Sequence, residues 1–402
     1  MQQLPLAGLR VIEFGQIIAG PAVGLVLGDL GADVIQVEHP DAGSPRRPGS
    51  LRDGAFFLFN RNKRSVVVDL TRPEGHALAV RLLRDADVLV ENMAPGTIDR
   101  LGLGYERLRE ENPRLIYCSI KGFLSGPNQT RLLTDHAAQM ISGLAYMTGP
   151  PGTPLRAGAS VVDIGAAAFA VVGILAALLQ RNHTGEGQRV SAGIFETALL
   201  YVGQHIAGTQ LSGKAPKPFS TKGAVAENFI FPIYDLFACR DGKQVFIGTA
   251  GETQWQRLCA VLDLKELADD LRLQDNVSRI REREWLVPYV ADVVAQWESG
   301  VLLGALVRAG VIAVPVHTPG SLLEDPQLTG RLLPARMGMV EGDLPALPYE
   351  SSEYEFSVRQ SASPDPGKHT RGVLLEFGLT PEEVESLARK GVVRGPDLPA
   401  VS

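Results

Sequence analysis

Along the first two hundred residues, short apolar runs alternate with stretches of helical spacing. Leu9-Arg10-Val11-Ile12-Glu13-Phe14 reads as a buried strand, and Ala19-Gly20-Pro21 turns the chain into a helix over residues 22–30. Gly31 stands where a C-terminal cap is expected, because glycine enters the left-handed backbone without steric cost. Val34-Ile35-Gln36-Val37-Glu38 reads as the next strand, followed by strands over residues 65–70, 87–92 and 115–120. Thr71-Arg72-Pro73-Glu74-Gly75 opens a helix, with proline where a missing N–H costs nothing. Short apolar strands separated by helices predict βα units and a parallel sheet covered on both faces. The expected fold class is therefore α/β, with a Rossmann-like, doubly wound large domain.

The periodicity changes near residue 200. Residues 209–229 are polar and rich in Gly, Pro and Lys, which suits a linker or mobile loop. Residues 234–238 and 244–248 flank Arg240-Asp241-Gly242-Lys243, where Asp-Gly marks a hairpin turn. Helical stretches follow over 254–262 and 282–296, so the middle of the chain reads as a smaller α/β domain. A Pro-rich passage, 344–366, is expected to run over the surface toward a last helix at 381–390.

Composition narrows the function classes. Of 402 residues, 45% are hydrophobic and 21% charged, as in ordinary globular enzymes. A net charge of −6 leaves no basic footprint for nucleic acid and no general attraction to anionic membranes. The start, MQQLPLAGLRVIEF, lacks a basic region before a long apolar run, so no signal peptide is expected. The most apolar stretch, residues 166–179, falls short of the roughly 20 residues of a membrane span and reads as a buried core helix. Cys118, Cys239 and Cys259 form no CxxC pair, and the histidines follow no HExxH spacing. Neither a disulfide framework nor a metal site is expected, and the expected location is cytoplasmic.

The candidate chemistry lies elsewhere. Phe14-Gly15-Gln16-Ile17-Ile18-Ala19-Gly20-Pro21 is not GxGxxG, and no P-loop exists, so a dehydrogenase or nucleotide hydrolase is not indicated. No GxSxG elbow supports Ser-His-Asp hydrolysis. Asp163 sits before the apolar helix, where it reads either as an N-cap or as a carboxylate nucleophile. Its small neighbours Gly158, Ala159, Ser160, Gly165, Ala166 and Ala167 leave room for a substrate on the second reading. Arg46, Arg47, Arg61, Lys63, Arg64, Arg72, Arg100 and Arg131 fall mostly in loops after predicted strands, where open α/β sheets bind ligands. They suit phosphate groups or a solvated surface. His136 beside Asp135 is a proton-transfer pair or a merely polar residue, since neighbours on a helix diverge. Gly248-Thr249-Ala250-Gly251 is a tight turn or a lid over a site.

Taken in order, LAGLRVIEF…AGP, LGDLGADVIQVE, NRNKRSVVVDL..PEG, DVLVENMAPGTIDRLGLGY, NPRLIYCSIKGF and VVDIGAAAFAVVGILAALLQRNHTGEGQ resemble the class III CoA-transferases. Gly367-Lys368-His369-Thr370 extends the likeness into the tail. The resemblance implies that Asp163 attacks an acyl-CoA thioester and passes through an aspartyl anhydride and an aspartyl-CoA thioester. It implies that Gln16, Ile17 and Ala19 line the pantetheine and the active site. His39, Arg72, Asn92, Met93 and Arg100 would contact CoA, Arg131 would lie near CoA or the acyl group, and Asp135 near the reacting centre. Gly248 to Gly251 would cover that centre. N–H groups at the start of the helix that carries Asp163 are expected to steady an oxyanion. Coenzyme A is then a substrate, with no permanently bound cofactor and no metal; succinyl-CoA and a short dicarboxylate suit a site rich in cations.

There are departures. Ile18 stands where some relatives carry Gln, and His39 where some carry Arg. Racemase relatives carry His directly before the acidic position of Asp135, and Thr134 stands there, which favours transfer. The alternatives are an α-methylacyl-CoA racemase or epimerase, and a non-catalytic CoA-binding protein. The family fold implies an interlocked homodimer whose large domain is built from both chain ends. The expected division is 1–205 for the first part of the large domain, 206–228 for a linker, 229–318 for the small domain and 319–402 for the return.

Overall fold

Two-residue alternation along the strands sets the architecture of the larger unit. The computed structural model describes residues 3–40, 51–219, 231–337, 340–359 and 364–401. Six strands come first: β1 (Arg10–Phe14), β2 (Asp33–Glu38), β3 (Lys63–Val68), β4 (Val88–Glu91), β5 (Ile116–Lys121) and β6 (Arg189–Gly193). Val11, Val34, Val88 and Ile116 join one core, while Ile12, Ile35, Leu89 and Tyr117 join a second. Successive strand side chains point to opposite faces, so a wholly apolar run must be covered twice. Helices Ala19–Asp29 and Val161–Thr184 cover the first face with Val23, Leu27, Ala166, Ala170 and Ile174. Helices Pro73–Arg84, Thr370–Glu376 and Pro381–Arg389 cover the second with Leu78, Leu82, Val373 and Val384.

The later strands are β7 (Tyr234–Ala238), β8 (Gln244–Gly248), β9 (Ile312–Pro315), β10 (Leu332–Met337), β11 (Val340–Pro345) and β12 (Val393–Arg394). The large sheet runs β12-β3-β2-β1-β4-β5-β6. Its strands are parallel except β12, which lies antiparallel on β3. The chain moves outward from β1 to β2 and β3, then returns to β4 on the other side of β1. That reversal opens a crevice beyond the carboxyl ends of β1 and β4.

Two compact units result. One holds Met1–Leu144, Arg156–Gln210 and Thr329–Ser402; the other holds Ala145–Leu155 and Leu211–Leu328. In the second, β7, β8 and β9 form an antiparallel sheet around Phe237, Val245, Ile247, Trp255, Leu286 and Leu302. Gly242 takes φ +75° in the turn between β7 and β8. The stretch 206–228 opens inside the helix Gly203–Ser212, and residues 220–230 lie outside the described residues, as do Arg46 and Arg47.

The tail motif acts on the sheet. Ser65 N–H donates to His369 Nδ1 at 3.1 Å, and Val67 N–H donates to Thr370 Oγ1 at 3.1 Å. Side chains thus cover the β3 edge beside and beyond the two residues that pair with β12. His369 accepts there and is neutral; burial, then Lys368 and Arg64, holds its pKa down. The apolar stretch at 166–179 belongs to a 24-residue helix, long and apolar enough by composition to cross a membrane. One face is core, but Ile164, Phe169, Val172 and Leu179 are exposed on the other, so the helix is buried on one side alone.

Candidate active site

The loops leaving β1 and β4 are tied to each other at the reversal. Gln16 N–H donates to Asn92 Oδ1 at 2.7 Å, and Asn92 Nδ2 donates back to Gln16 O at 2.9 Å. Ile17 follows with φ +63° and 76% of its surface exposed. For a β-branched residue this backbone costs about 1–2 kcal/mol, and such outliers gather at ligand sites. Ala19 is buried at the first position of the helix Ala19–Asp29. Met93 N–H donates to Glu91 Oε2 at 2.9 Å, while the Ser119 hydroxyl donates to the other oxygen. Burial pushes the Glu91 carboxyl up, against the pull of these two donors. Gln16, Ile17, Asn92 and Met93 therefore leave the two strands that bound the crevice.

The cations divide sharply. Arg61 is 1% exposed and its Nη2 meets Asp29 Oδ2 at 2.6 Å. Lys63 is fully buried, and its Nζ donates to Glu13 Oε1 at 3.1 Å, Pro21 O at 2.9 Å and Asn60 Oδ1 at 3.0 Å. Arg64 holds Asp33 at 2.5 Å and Glu376 at 2.7 Å. These three are structural, which corrects both readings of them, as phosphate ligands and as a solvated surface. His39 and Arg72 meet at one carboxylate, with Asp69 3.5 Å from His39 Nε2 and 3.2 Å from Arg72 Nε. Burial would raise Asp69, but Thr71, His39 and Arg72 hold it below the usual range. Arg100 donates to Thr97 Oγ1 at 2.8 Å and Arg131 to Asn128 Oδ1 at 3.1 Å. Both are exposed, and among the described residues neither faces a carboxylate within ion-pair distance.

Asp163 lies in the first turn of Val161–Thr184, and the N-cap is Ser160, whose side chain makes no capping bond. The capping acceptor comes from another helix. Asp135 Oδ2 accepts Val162 N–H at 2.8 Å and Asp163 N–H at 3.2 Å. Asp135 is 5% exposed and opens the helix Asp135–Ile141, itself capped by Thr134 through Ala137 N–H. Asp163 is thus no cap, and no donor among the described residues bonds its carboxylate. Burial, then the negative charge of Asp135, pushes its pKa up to about 6. Such a group ionises near neutrality and is a stronger nucleophile than an ordinary aspartate.

Two expectations about this turn are corrected. The N–H groups of Val162 and Asp163 are spent on Asp135, and Ile164 N–H donates to Ser160 O at 3.1 Å, so these three cannot hold an oxyanion. Gly165 does not make room for substrate either. A Cβ there would lie 1.7 Å from Tyr201 Oη, so the gap is already filled from the helix Ile194–Tyr201. Gly158 does face open space. His136 is exposed on the helix that buries Asp135, so the two do not point to one centre.

In the second unit, Gly248 ends β8 and Gly251 caps the helix Glu252–Val261. Thr249 is buried with its N–H on Ile233 O at 2.8 Å, and Ala250 N–H donates to Gln254 Oε1 at 2.7 Å. The four residues form a fastened strand-to-helix turn. One site residue escaped the sequence reading: Gln139, fully buried, lies four places after Asp135 and bonds it. The i, i+4 Asp-Gln spacing, which puts both residues on one face if the segment is helical, was the available signal. No group of His, Cys, Asp and Glu suited to a metal occurs among the described residues.

The family model described as CoA-transferase family III matches residues 6–370. The chain is similar to a succinate–glutarate CoA-transferase of Agrobacterium fabrum, 33% identical over 93% of this chain and 96% of that protein. It is likewise similar to a succinyl-CoA:glutarate CoA-transferase of Mus musculus, 33% identical over 97% and 90%. Among solved structures, a CAIB/BAIF family protein from Brucella suis aligns with TM-score 0.83 and 33% identity, over 94% of this chain and 100% of that one.

Proposed function

The chain belongs to CoA-transferase family III, and from that premise we propose that Asp163 carries CoA between succinyl-CoA and a second short dicarboxylic acid. The enzyme class, acyl-CoA:carboxylate CoA-transferase, comes with the family. The observation that supports the nucleophile is the Asp163 carboxylate: half-buried, without a donor, and raised to about 6 beside Asp135.

The steps balance without water or a redox partner. The ionised carboxylate attacks the thioester carbonyl, the C–S bond breaks, and CoA thiolate leaves an acyl-aspartyl anhydride. The thiolate then attacks the Asp163 carbonyl, and the donor acid departs as its carboxylate. The acceptor carboxylate attacks the aspartyl-CoA thioester and the thiolate leaves again. The thiolate finally takes the acceptor's acyl carbonyl and frees Asp163. Each step exchanges one activated carbonyl for another, so the thioester's free energy is kept.

The relatives named for succinate and glutarate support succinyl-CoA as donor and a dicarboxylate of similar length as acceptor. Arg100 and Arg131, exposed and without carboxylate partners among the described residues, suit such anions and the phosphates of CoA. Gln16, Ile17, Asn92 and Met93 suit the pantetheine arm. Racemisation needs two opposed acid/base groups; both oxygens of Asp135 are already bonded. We read the working form as an interlocked homodimer, supported by the exposed apolar stripe of Ile164, Phe169, Val172 and Leu179.

The test is exchange of labelled succinate into succinyl-CoA, followed by transfer to glutarate. The native chain is expected to catalyse both. Asp163→Ala is expected to lose exchange by at least about a thousandfold, because a covalent route has no substitute nucleophile. Retained exchange in that variant would overturn the mechanism.

A further inference from the structure

The turn that carries Asp163 is held by a neighbour that is itself held. Asp135 Oδ2 takes the two amides of the turn, and Asp135 Oδ1 accepts from Gln139 Nε2 at 2.7 Å. Gln139 Oε1 in turn accepts Ala157 N–H at 2.8 Å. Ala157 lies in the segment that enters the helix Val161–Thr184. The segment is therefore stapled at both ends, at Ala157 by Gln139 and at Val162 and Asp163 by Asp135. Gln139 is 0% exposed, and both functional atoms of its amide are used. A buried glutamine of this kind has one compatible orientation, since flipping the amide would face a carboxylate with its oxygen and an N–H with its nitrogen.

We propose that Gln139 is a positioning residue: it locks Asp135 across the turn of Asp163 and so keeps the nucleophile in one place and one charge environment. The inference rests on the reading of Asp163 as the nucleophile. Without Gln139, Asp135 loses its Oδ1 donor and is free to leave the turn. Asp163 then loses a nearby negative charge and regains two amide dipoles, and both changes favour its ionised form.

Other charged groups do not compete for this role. The elements packed on the Asp163 helix carry His136, Glu196, Tyr201, Lys121, Arg189 and Asp29. Only Asp135 adds its charge to burial at Asp163. Tyr201 donates to Val161 O at 3.3 Å, Glu196 accepts Leu124 N–H at 3.1 Å, and Asp29 is paired with Arg61.

The experiment follows the Asp163 carboxyl by carbon NMR in full-length protein with labelled aspartate, assigned by Asp163→Asn. Gln139→Leu is expected to lower the Asp163 pKa by about one unit, and Asp135→Asn by at least as much. The two changes together are expected to give no more than Asp135→Asn alone, because Gln139 acts through Asp135. In parallel, Gln139→Leu should reduce kcat of succinate exchange about tenfold, with KM for succinyl-CoA within about twofold. Gln139→Met, equally long and without the amide, is read the same way should the leucine variant fold poorly. An Asp163 pKa unchanged in these variants, or strictly additive shifts in the double variant, overturns the proposal. The titration does not depend on chemistry. Exchange surviving Asp163→Ala would sink the nucleophile reading and leave the titration standing.

Discussion

Two charged regions of the large unit answer burial in opposite ways. Around the start of β3, three cationic side chains are committed: Arg61 to Asp29, Lys63 to Glu13, and Arg64 to Asp33 and Glu376. Burial pushes Glu13 up and Lys63 down, and each one's charge offsets the shift of the other. At the start of Val161–Thr184 the arrangement is reversed. The carboxylate of Asp163 has no donor among the described residues, and the nearest charge is a second carboxylate. Where every charge is paired, the region is structure. Where a charge is left unpaired at a turn built to hold it, the fold carries a cost that only chemistry explains.

That contrast can be broken at either end. The larger effect belongs to the paired region. Lys63→Ala would leave Glu13 buried without its partner, and such a loss costs about 3–5 kcal/mol. Denaturant unfolding should show this drop, and replacing both Lys63 and Glu13 with apolar residues should recover most of it. A Lys63→Ala protein as stable as the native one would show that the pair is not what holds this edge.

The smaller effect, opposite in sign, belongs to the unpaired region. Asp163 ionises near 3.9 in an unfolded chain and at about 6 in the fold. A raised acid pKa means that the fold favours the protonated form. Below about pH 4 both states are protonated and nothing is lost; as pH rises through 6 the native state loses up to about 3 kcal/mol. Asp163→Asn does not titrate, so it should match the native protein in acid and exceed its stability by that amount at pH 8. Equal stability at pH 8 would mean that the carboxylate is well solvated after all. The expected pattern, a more stable and inactive variant, is the usual mark of an active-site charge.

Legibility in the sequence followed the range of the interaction. Strands β1 to β5 were readable because apolar runs are local, and so was the hairpin of β7 and β8 through Asp241-Gly242. β6, Arg-Val-Ser-Ala-Gly, was not, because it carries no apolar run of its own and forms by pairing with β5. β12 is two residues long and exists only through β3. Arg61 and Lys63 looked like free cations because their partners lie 32 and 50 residues away. Gly165 looked like open space because Tyr201, which fills it, belongs to a later helix. Asp163 itself was legible as a residue but not in its local role. The capping carboxylate that displaces it from the helix N-cap arrives from 28 residues earlier in the chain. Gln139 passed unread, since its second partner, the Ala157 amide, lies 18 residues further on.

The central claim is that Asp163 becomes covalently bonded during transfer. Mixing the protein with succinyl-CoA, quenching in acid and digesting it exposes that bond to mass spectrometry. The account predicts that the peptide holding Asp163 gains the mass of CoA less one water, that hydroxylamine removes it, and that Asp163→Ala never acquires it. An unmodified Asp163 peptide from protein that is turning over succinyl-CoA, or an adduct on another carboxylate, would contradict it.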